Sequence, residues 1–262
     1  MLVKAKKSLG QNFLIDSDVI KTIIKCSPIK GKEILEVGPG TGNLTEKIID
    51  SKPSKVYLIE KDNFLLDQLR NKFDYNIEFL NKDILKINEK NLSKKKLTVF
   101  GNLPYNISTE ILIRWIVNLD SKIWFDKLIL MFQKEVAQRI MSKHNTSHYG
   151  RLSVISNWKL NIEKIIDIKP HSFRPRPRVD SSLLVFTPKT NLKKICSEDS
   201  LEKVTRTFFN QRRKKIRKPF NQLFNNSEQI ANRLNINLNL RPQNLTVDMY
   251  LLISKEYDNL RS

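Results

Sequence analysis

The sequence predicts an α/β protein built on a Rossmann-like sheet, with a small C-terminal helical domain. Three observations carry this. Short runs rich in Val, Ile, Leu and Phe at Glu33–Val37, Lys55–Ile59, Ile77–Leu80, Leu97–Phe100 and Lys127–Phe132 alternate with stretches of helical character. That order builds a parallel sheet covered on both faces. The first run enters a glycine-rich turn, Glu36-Val37-Gly38-Pro39-Gly40-Thr41-Gly42. From Ser200 onward the chain reads as helical, with no convincing strand.

The elements follow in order. Asp18–Cys26 is a short amphipathic helix with Asp16 or Ser17 as N-cap. Asn43–Ile49 is the helix after the glycine turn. Phe64–Phe73 is a helix with Phe64, Leu65, Leu69 and Phe73 as its apolar positions. Asn88–Lys96 is rich in Lys and Asn and reads as a surface loop. Thr109–Val117 and Lys134–Met141 are the helices after the fourth and fifth strands. Further strands are expected at Leu152–Trp158, Asn161–Ile168 and Ser182–Phe186. Pro188 and its polar neighbours interrupt the pattern, which sets a first domain at 1–188 and a helical domain at 189–262.

Composition narrows the function. The net charge of +20 on 262 residues predicts attraction to a polyanion, with nucleic acid before an anionic membrane. A Lys- and Asn-rich composition of the kind common in AT-rich genomes is the plainer source of that charge. No apolar run reaches the ~20 residues of a membrane span, and Met1–Gly10 lacks the apolar stretch of a signal peptide. A cytoplasmic protein is expected. Cys26 and Cys196 make no disulfide framework. His144, His148 and His171 lack metal-ligand company, so no metal site is expected.

Four constellations carry chemistry. The glycines let the backbone turn tightly and approach a ligand. A dinucleotide fingerprint would need a further glycine where Asn43 or Thr45 stands, so the turn suits a nucleoside cofactor without pyrophosphate. Glu60 closes the next strand, where a carboxylate accepts from both ribose hydroxyls. Asp83 closes the third, where it can accept from an adenine amine. The tetrapeptide Asn102-Leu103-Pro104-Tyr105 follows the fourth strand. An adenine amine is a poor nucleophile because its lone pair is delocalised into the ring. The Asn102 side-chain oxygen and the Leu103 carbonyl beside Pro104 can accept its two N–H bonds and free that lone pair for an incoming methyl group. Tyr105 can stack on the base. Taken alone, the tetrapeptide is equally a polar strand-to-helix turn.

The other constellations flank this centre. The arm Lys7-Ser8-Leu9-Gly10-Gln11-Asn12-Phe13-Leu14 combines amides with large apolar residues, as a cap over a pocket would. The segment His171-Ser172-Phe173-Arg174-Pro175-Arg176-Pro177-Arg178 is a stiff loop with three guanidiniums for phosphates. Phe173 at its start offers a second aromatic face for a flipped base. A rigid connector anchored by Phe173 fits equally well on physical grounds. In Phe208–Lys218, six of the seven residues from Arg212 to Lys218 are basic. On a helix this run would turn Phe208, Phe209 and Ile216 inward and present a phosphate-binding face.

These motifs resemble the small-subunit ribosomal RNA adenine dimethyltransferases, the kasugamycin-sensitivity family. The matching stretches are KKSLGQNFL (6–14), EVGPGTGNLT (36–45), IEKD (59–62), NKDIL (81–85), NLPYNIST (102–109), YGRLSV (149–154), HSFRPRPRVDSSLL (171–184) and FNQRRKKIRK (209–218), across nearly the whole chain. The resemblance implies a class I methyltransferase sheet and S-adenosyl-L-methionine as methyl donor. It implies two successive transfers to each of two adjacent adenosines near the 3′ end of small-subunit rRNA, on a monomer acting on an immature 30S particle. It places Asn12, Leu14, Gly38, Glu60, Asp83 and Asn102 at the cofactor, and Asn102, Leu103, Pro104, Tyr105 and Phe173 at the target base. Arg174, Arg176, Arg178, Arg212, Arg213, Lys214, Lys215, Arg217 and Lys218 are the candidate RNA contacts. Two departures are small. Leu103 stands where related amine methyltransferases often have Pro, and Arg replaces some of the prolines usual after Phe173.

Three rivals are weighed against this reading. The large-subunit rRNA adenine methyltransferases of macrolide resistance share the fold, cofactor and Asn motif, but YGRLSV and FNQRRKKIRK favour the small-subunit family. A non-catalytic nucleic-acid-binding factor on the same scaffold would have lost motif residues that stand intact here. A cytosine-C5 methyltransferase needs a Cys nucleophile in the active-site loop, where neither cysteine lies.

Overall fold

The computed structural model describes residues 5–117, 119, 123–190 and 196–260. In chain order the larger elements are β1 (Phe13–Leu14), α1 (Ser17–Lys25), β2 (Glu33–Val37), α2 (Asn43–Asp50), β3 (Lys55–Glu60), α3 (Asn63–Lys72), β4 (Ile77–Asn81), β5 (Leu97–Gly101), α4 (Ser108–Val117), β6 (Phe125–Gln133) and α5 (Lys134–Met141). There follow α6 (Arg151–Lys159), β7 (Leu160–Ile168), β8 (Phe173–Arg174), β9 (Ser181–Pro188), α7 (Glu198–Phe209), α8 (Arg217–Leu223), α9 (Ser227–Arg233) and α10 (Val247–Asn259). They form two compact units, Met1–Ala137 with Asn161–Pro188, and Gln138–Leu160 with Lys189–Ser262.

The first unit holds a seven-stranded sheet in the order β4-β3-β2-β5-β6-β9-β7. The strands from β4 to β6 are parallel, and β9 runs antiparallel to β6. Ile34, Leu35, Val56, Leu58, Val99 and Phe100 are all fully buried, as strands covered on both faces require. The chain leaves β2 toward β3 and β4, then returns to lay β5 on its other side. The carboxyl ends of β2 and β5 therefore flank a topological switch point, where open α/β sheets bind ligands. The glycine turn follows β2, and the Asn102 tetrapeptide follows β5. Local capping fixes the helices as the sequence indicates. The Asp16 carboxylate accepts from the Asp18 and Val19 amides at the start of α1.

The N-terminal arm is not a loose tail over its described length. β1 pairs antiparallel with β8, Phe13 opposite Arg174 and Leu14 opposite Phe173. The Ile15 amide donates to the Ser172 carbonyl at 2.9 Å, and the Ser172 hydroxyl donates to Asp16 at 2.7 Å.

Two expectations for local structure need correction. Leu152–Trp158 is not a strand but lies inside helix α6. Ser153, Val154, Ile155, Ser156 and Trp158 are all buried, so no polar face marks a helical period. The segment 138–160 packs with the second unit, so a first domain running unbroken to 188 does not describe this fold. Asn88–Lys96 is likewise more than a surface loop. Glu89 is buried there, accepts from the Trp115 indole at 2.8 Å and is ion-paired with Arg114. The Arg114 guanidinium also donates to the Ile84 and Ile87 carbonyls at 2.7 and 2.6 Å, pinning the single 3₁₀ turn that follows Asp83.

The second unit is helical, around a core rich in aromatic rings. Phe209 stacks on Tyr250 at 5.4 Å between centroids, and Phe208 meets Tyr250 edge-on at 5.8 Å. The basic run does not form one helix. α7 ends at Phe209, and α8 begins at Arg217. Ile216 is buried and its amide donates to the Leu240 carbonyl at 2.8 Å, which holds Arg212–Ile216 as a turn.

Candidate active site

The glycine turn forms one wall of the site. Gly38, Gly40 and Gly42 all have positive φ, at 71°, 58° and 81°. At Gly38 a Cβ would sit 3.1 Å from the Asn102 carbonyl oxygen. At Gly40 it would meet the Phe13 ring at 2.7 Å. Larger residues are excluded by conformation and by space. The turn is thereby brought against both the Asn102 backbone and the N-terminal arm.

A cavity of about 230 Å³ opens here. Its walls come from the arm (Ser8–Phe13), the β2 turn (Val37, Gly38, Gly40), the end of β3 (Ile59–Lys61), the segment Lys82–Leu85 and the tetrapeptide through Ile107. Asn12, Gly38, Glu60, Asp83, Asn102, Leu103, Pro104 and Tyr105 thus meet on one surface. Leu14 lines a small adjoining recess beneath the turn, and its carbonyl accepts from the Asn43 side chain at 2.8 Å. Phe173 does not line the cavity. It is 1% exposed and belongs to the apolar cluster containing Leu14, Phe100 and Met131. Alternation along β8 turns Phe173 inward and exposes Arg174.

Glu60 is buried. Its carboxylate accepts from the Asp62 amide at 2.9 Å and the Gly40 amide at 3.4 Å. Burial raises its pKa, and bonds from the Asp62, Gly40 and Lys61 amides counter part of that rise. The Asp83 carboxylate caps the Leu85 amide at 3.0 Å and is ion-paired with Lys61 at 2.9 Å; that ion pair is the main reason its pKa is lowered. The Asn102 side-chain amide donates to the Asn12 carbonyl at 2.7 Å. With the nitrogen so committed, Oδ1 is left as an acceptor. The Tyr105 hydroxyl lies 2.5 Å from the Ser181 hydroxyl.

Sequence reasoning missed several residues that shape this site. Asp62 is 4% exposed and clasps the arm, accepting from Lys6 at 2.8 Å and from Gln11 at 3.1 Å. Only its place in IEKD gave any signal. Glu36, below the turn, is 1% exposed and accepts from the Thr45 hydroxyl at 2.7 Å. Burial, helped by the nearby Glu60 charge and opposed by the Thr45 bond, lifts its pKa to about 8. The folded protein keeps this proton where the unfolded chain has released it. Glu36 therefore costs stability as pH climbs from about 4.3 toward about 8. Glu36→Gln should gain on the wild type over that window by at most about 1.4 kcal/mol per pH unit, and match it below. Urea unfolding at about pH 5 and about pH 8 checks this.

The candidate RNA contacts fall into two groups. Arg174, Arg176 and Arg178 are exposed. In the basic run, Arg213 and Lys214 in the turn and Lys218 at the start of α8 are exposed, and their side chains make no hydrogen bond or ion pair among the described residues. The other three have protein partners. The Arg212 guanidinium donates to the Thr146 and Ser147 carbonyls, Lys215 to Asn239 at 3.0 Å, and Arg217 pairs with Glu228.

A sheet of this order, with a glycine turn after β2, a buried acid closing β3 and Asn-Leu-Pro-Tyr after β5, defines a class I methyltransferase. The chain belongs to the ribosomal RNA adenine dimethylase family, whose model matches residues 2–259. The ribosomal RNA small subunit methyltransferase A of Pelagibacter ubique is 59% identical over 261 residues, covering 100% of both chains. Its counterpart from Xanthobacter autotrophicus is 35% identical, over 99% of this chain and 92% of its own. Two solved structures share the fold. A dimethyladenosine transferase from Plasmodium falciparum has a TM-score of 0.76 at 24% identity, covering 94% of this chain and 97% of its own. The 23S rRNA methyltransferase ErmE has a TM-score of 0.68 at 22% identity, covering 94% of this chain and 100% of its own.

Proposed function

We propose that this enzyme dimethylates the exocyclic amines of two adjacent adenosines near the 3′ end of small-subunit rRNA, within an immature 30S particle, using S-adenosyl-L-methionine. The observation that carries the chemistry is the orientation of Asn102. Its nitrogen is tied to Asn12, and its oxygen is left to accept from an amine in the cavity. The small-subunit target is supported by the 59% identity to the Pelagibacter ubique enzyme, which favours it over a large-subunit target.

The residues present fit the cofactor. Among the described residues the buried Glu60 carboxylate is bonded to backbone amides, with lone pairs left for ribose hydroxyls. The Gly38 and Gly40 cradle would be filled by any side chain. Asn12, Glu60 and Asp83 would hold the cofactor, which when bound supplies an electrophilic methyl group on a sulfonium sulfur. The chain's own groups do the rest. Tyr105 receives the target adenine after it leaves its stack. Asn102 Oδ1 and the Leu103 carbonyl accept its two N–H bonds and orient the nitrogen lone pair. Near-attack geometry then supplies much of the acceleration. The amine proton leaves as or after the new bond forms, so no strong general base is needed. The positive sulfonium makes a metal Lewis acid unnecessary. A monomer acting in the cytoplasm completes the proposal. Among the described residues no helix is long and apolar enough to cross a membrane.

Mass-spectrometric mapping of rRNA from cells with and without the gene tests this reading. Two adjacent dimethyladenosines in small-subunit rRNA should vanish on deletion and return with the wild-type gene. Loss of a mark in large-subunit rRNA instead would overturn the assignment.

The second unit is proposed to grip rRNA through the basic run Arg212–Lys218. Neutralising Arg213, Lys214 and Lys218 together should flatten the log–log salt dependence of RNA binding by roughly one unit per lost phosphate contact. Cofactor affinity should not move. An unchanged slope would make the run a solvated face only.

A further inference from the structure

We propose that Ser181 is a positioning residue for methyl transfer: it fixes the plane of the Tyr105 ring through the phenol. The inference rests on the reading of Tyr105 as the platform for the target base. Ser181 is 0% exposed, and it opens β9, far from the tetrapeptide in sequence. Its hydroxyl lies 2.5 Å from the Tyr105 hydroxyl. The backbone around it is tied to the end of β6. Ser181 stands opposite Gln133 on β6, and the Asp180 carbonyl accepts from the Lys134 amide at 2.9 Å.

Tyr105 is therefore gripped at its two ends. At the backbone end, the Tyr105 carbonyl accepts from the Ser108 hydroxyl at 3.1 Å, and the Pro104 carbonyl accepts from the Ile107 amide at 3.1 Å. At the far end, the phenol is anchored on a rigid strand. A ring fixed only by packing can tilt about its side-chain torsions, and a tilted platform misaims the base stacked on it. Stacking alone needs only a flat ring, which Phe would supply. A Tyr whose hydroxyl is turned to a fully buried Ser points to fixed orientation as the added function. The strand that carries Ser181 also continues directly from the Arg174–Arg178 loop, so the platform and that loop share one anchor.

The test is a double-mutant cycle read by single-turnover methyl transfer on immature small-subunit particles. Tyr105→Phe and Ser181→Ala should each slow transfer about tenfold, and the double variant should be no slower than either one. Cofactor affinity by calorimetry and particle affinity should stay at wild-type values, which separates positioning from general loss of structure. With 2-aminopurine at the target position, both variants should emit more strongly than wild type, reporting a base stacked less firmly. Additive losses in the double variant, or wild-type rates in either single one, would overturn the role of Ser181. Tyr105→Ala separates the two readings. If it slows transfer severely while Tyr105→Phe and Ser181→Ala do not, only the Ser181 inference fails. If Tyr105→Ala is also at wild-type rate, the platform reading fails with it.

Discussion

Asn102→Ala should slow single-turnover methyl transfer by roughly 10²–10³-fold, the loss typical of removing one preorganised polar group aimed at the reacting centre. Two effects act in the same direction. The acceptor proposed for the target amine, Oδ1, disappears. So does the bond from the side-chain nitrogen to the Asn12 carbonyl, at 2.7 Å, which ties the N-terminal arm to the tetrapeptide. Particle affinity should stay near wild type, because the arginines and lysines proposed to bind phosphate are untouched. Asn102→Asp should also be poor, for a reason the structure makes explicit. An ionised carboxylate cannot donate to the Asn12 carbonyl and would be repelled by it. Near-wild-type rates in Asn102→Ala would remove the tetrapeptide from the mechanism.

Glu60→Ala should weaken S-adenosyl-L-methionine binding at least tenfold by calorimetry, since each hydrogen bond to a charged group contributes about 1.5–3 kcal/mol. The sign of the pH effect follows from the same site. Burial raises the Glu60 pKa, so on acidification this carboxylate protonates earlier than an exposed one. In the proposed role ribose hydroxyls would donate to the ionised form, so affinity should fall as pH drops through that raised pKa. Glu60→Gln should bind weakly and lose this pH dependence. It keeps a side-chain oxygen for the Gly40 or Asp62 amide, so it tests the charge with less disturbance of the turn. Unchanged affinity in both variants would sink the ribose role.

Much of the fold was legible because it is written locally. The five parallel strands are short apolar runs with turn signals at their ends, and the structure places them at β2 to β6 within a residue or two. Helix α6 was not legible. Its buried face extends nearly all round, so neither a period of two nor one of 3.6 stands out. The break in the basic run was hidden for a related reason. Continuous helix from Phe208 to Lys218 satisfies local propensity, but Ile216 bonds to Leu240 and Arg212 to Thr146 and Ser147, all remote in sequence.

The candidate site divides the same way. The sequence by itself determined which chemical groups stand at the strand ends: the glycine turn after β2, Glu60 closing β3, Asp83 after β4 and Asn102 to Tyr105 after β5. Alternating strands and helices then require those ends to share one edge of a parallel sheet. Only the tertiary structure decided how each group is held. It turned the Asn102 oxygen free by giving its nitrogen to Asn12, buried Phe173 in the core, clasped the arm to Asp62 through Lys6 and Gln11, and set the Tyr105 phenol on Ser181. The reason is physical. Strand ends are specified by short-range patterns of apolar and turn residues, whereas these hydrogen bonds join groups about 50 to 90 positions apart, and no periodicity along a chain encodes them.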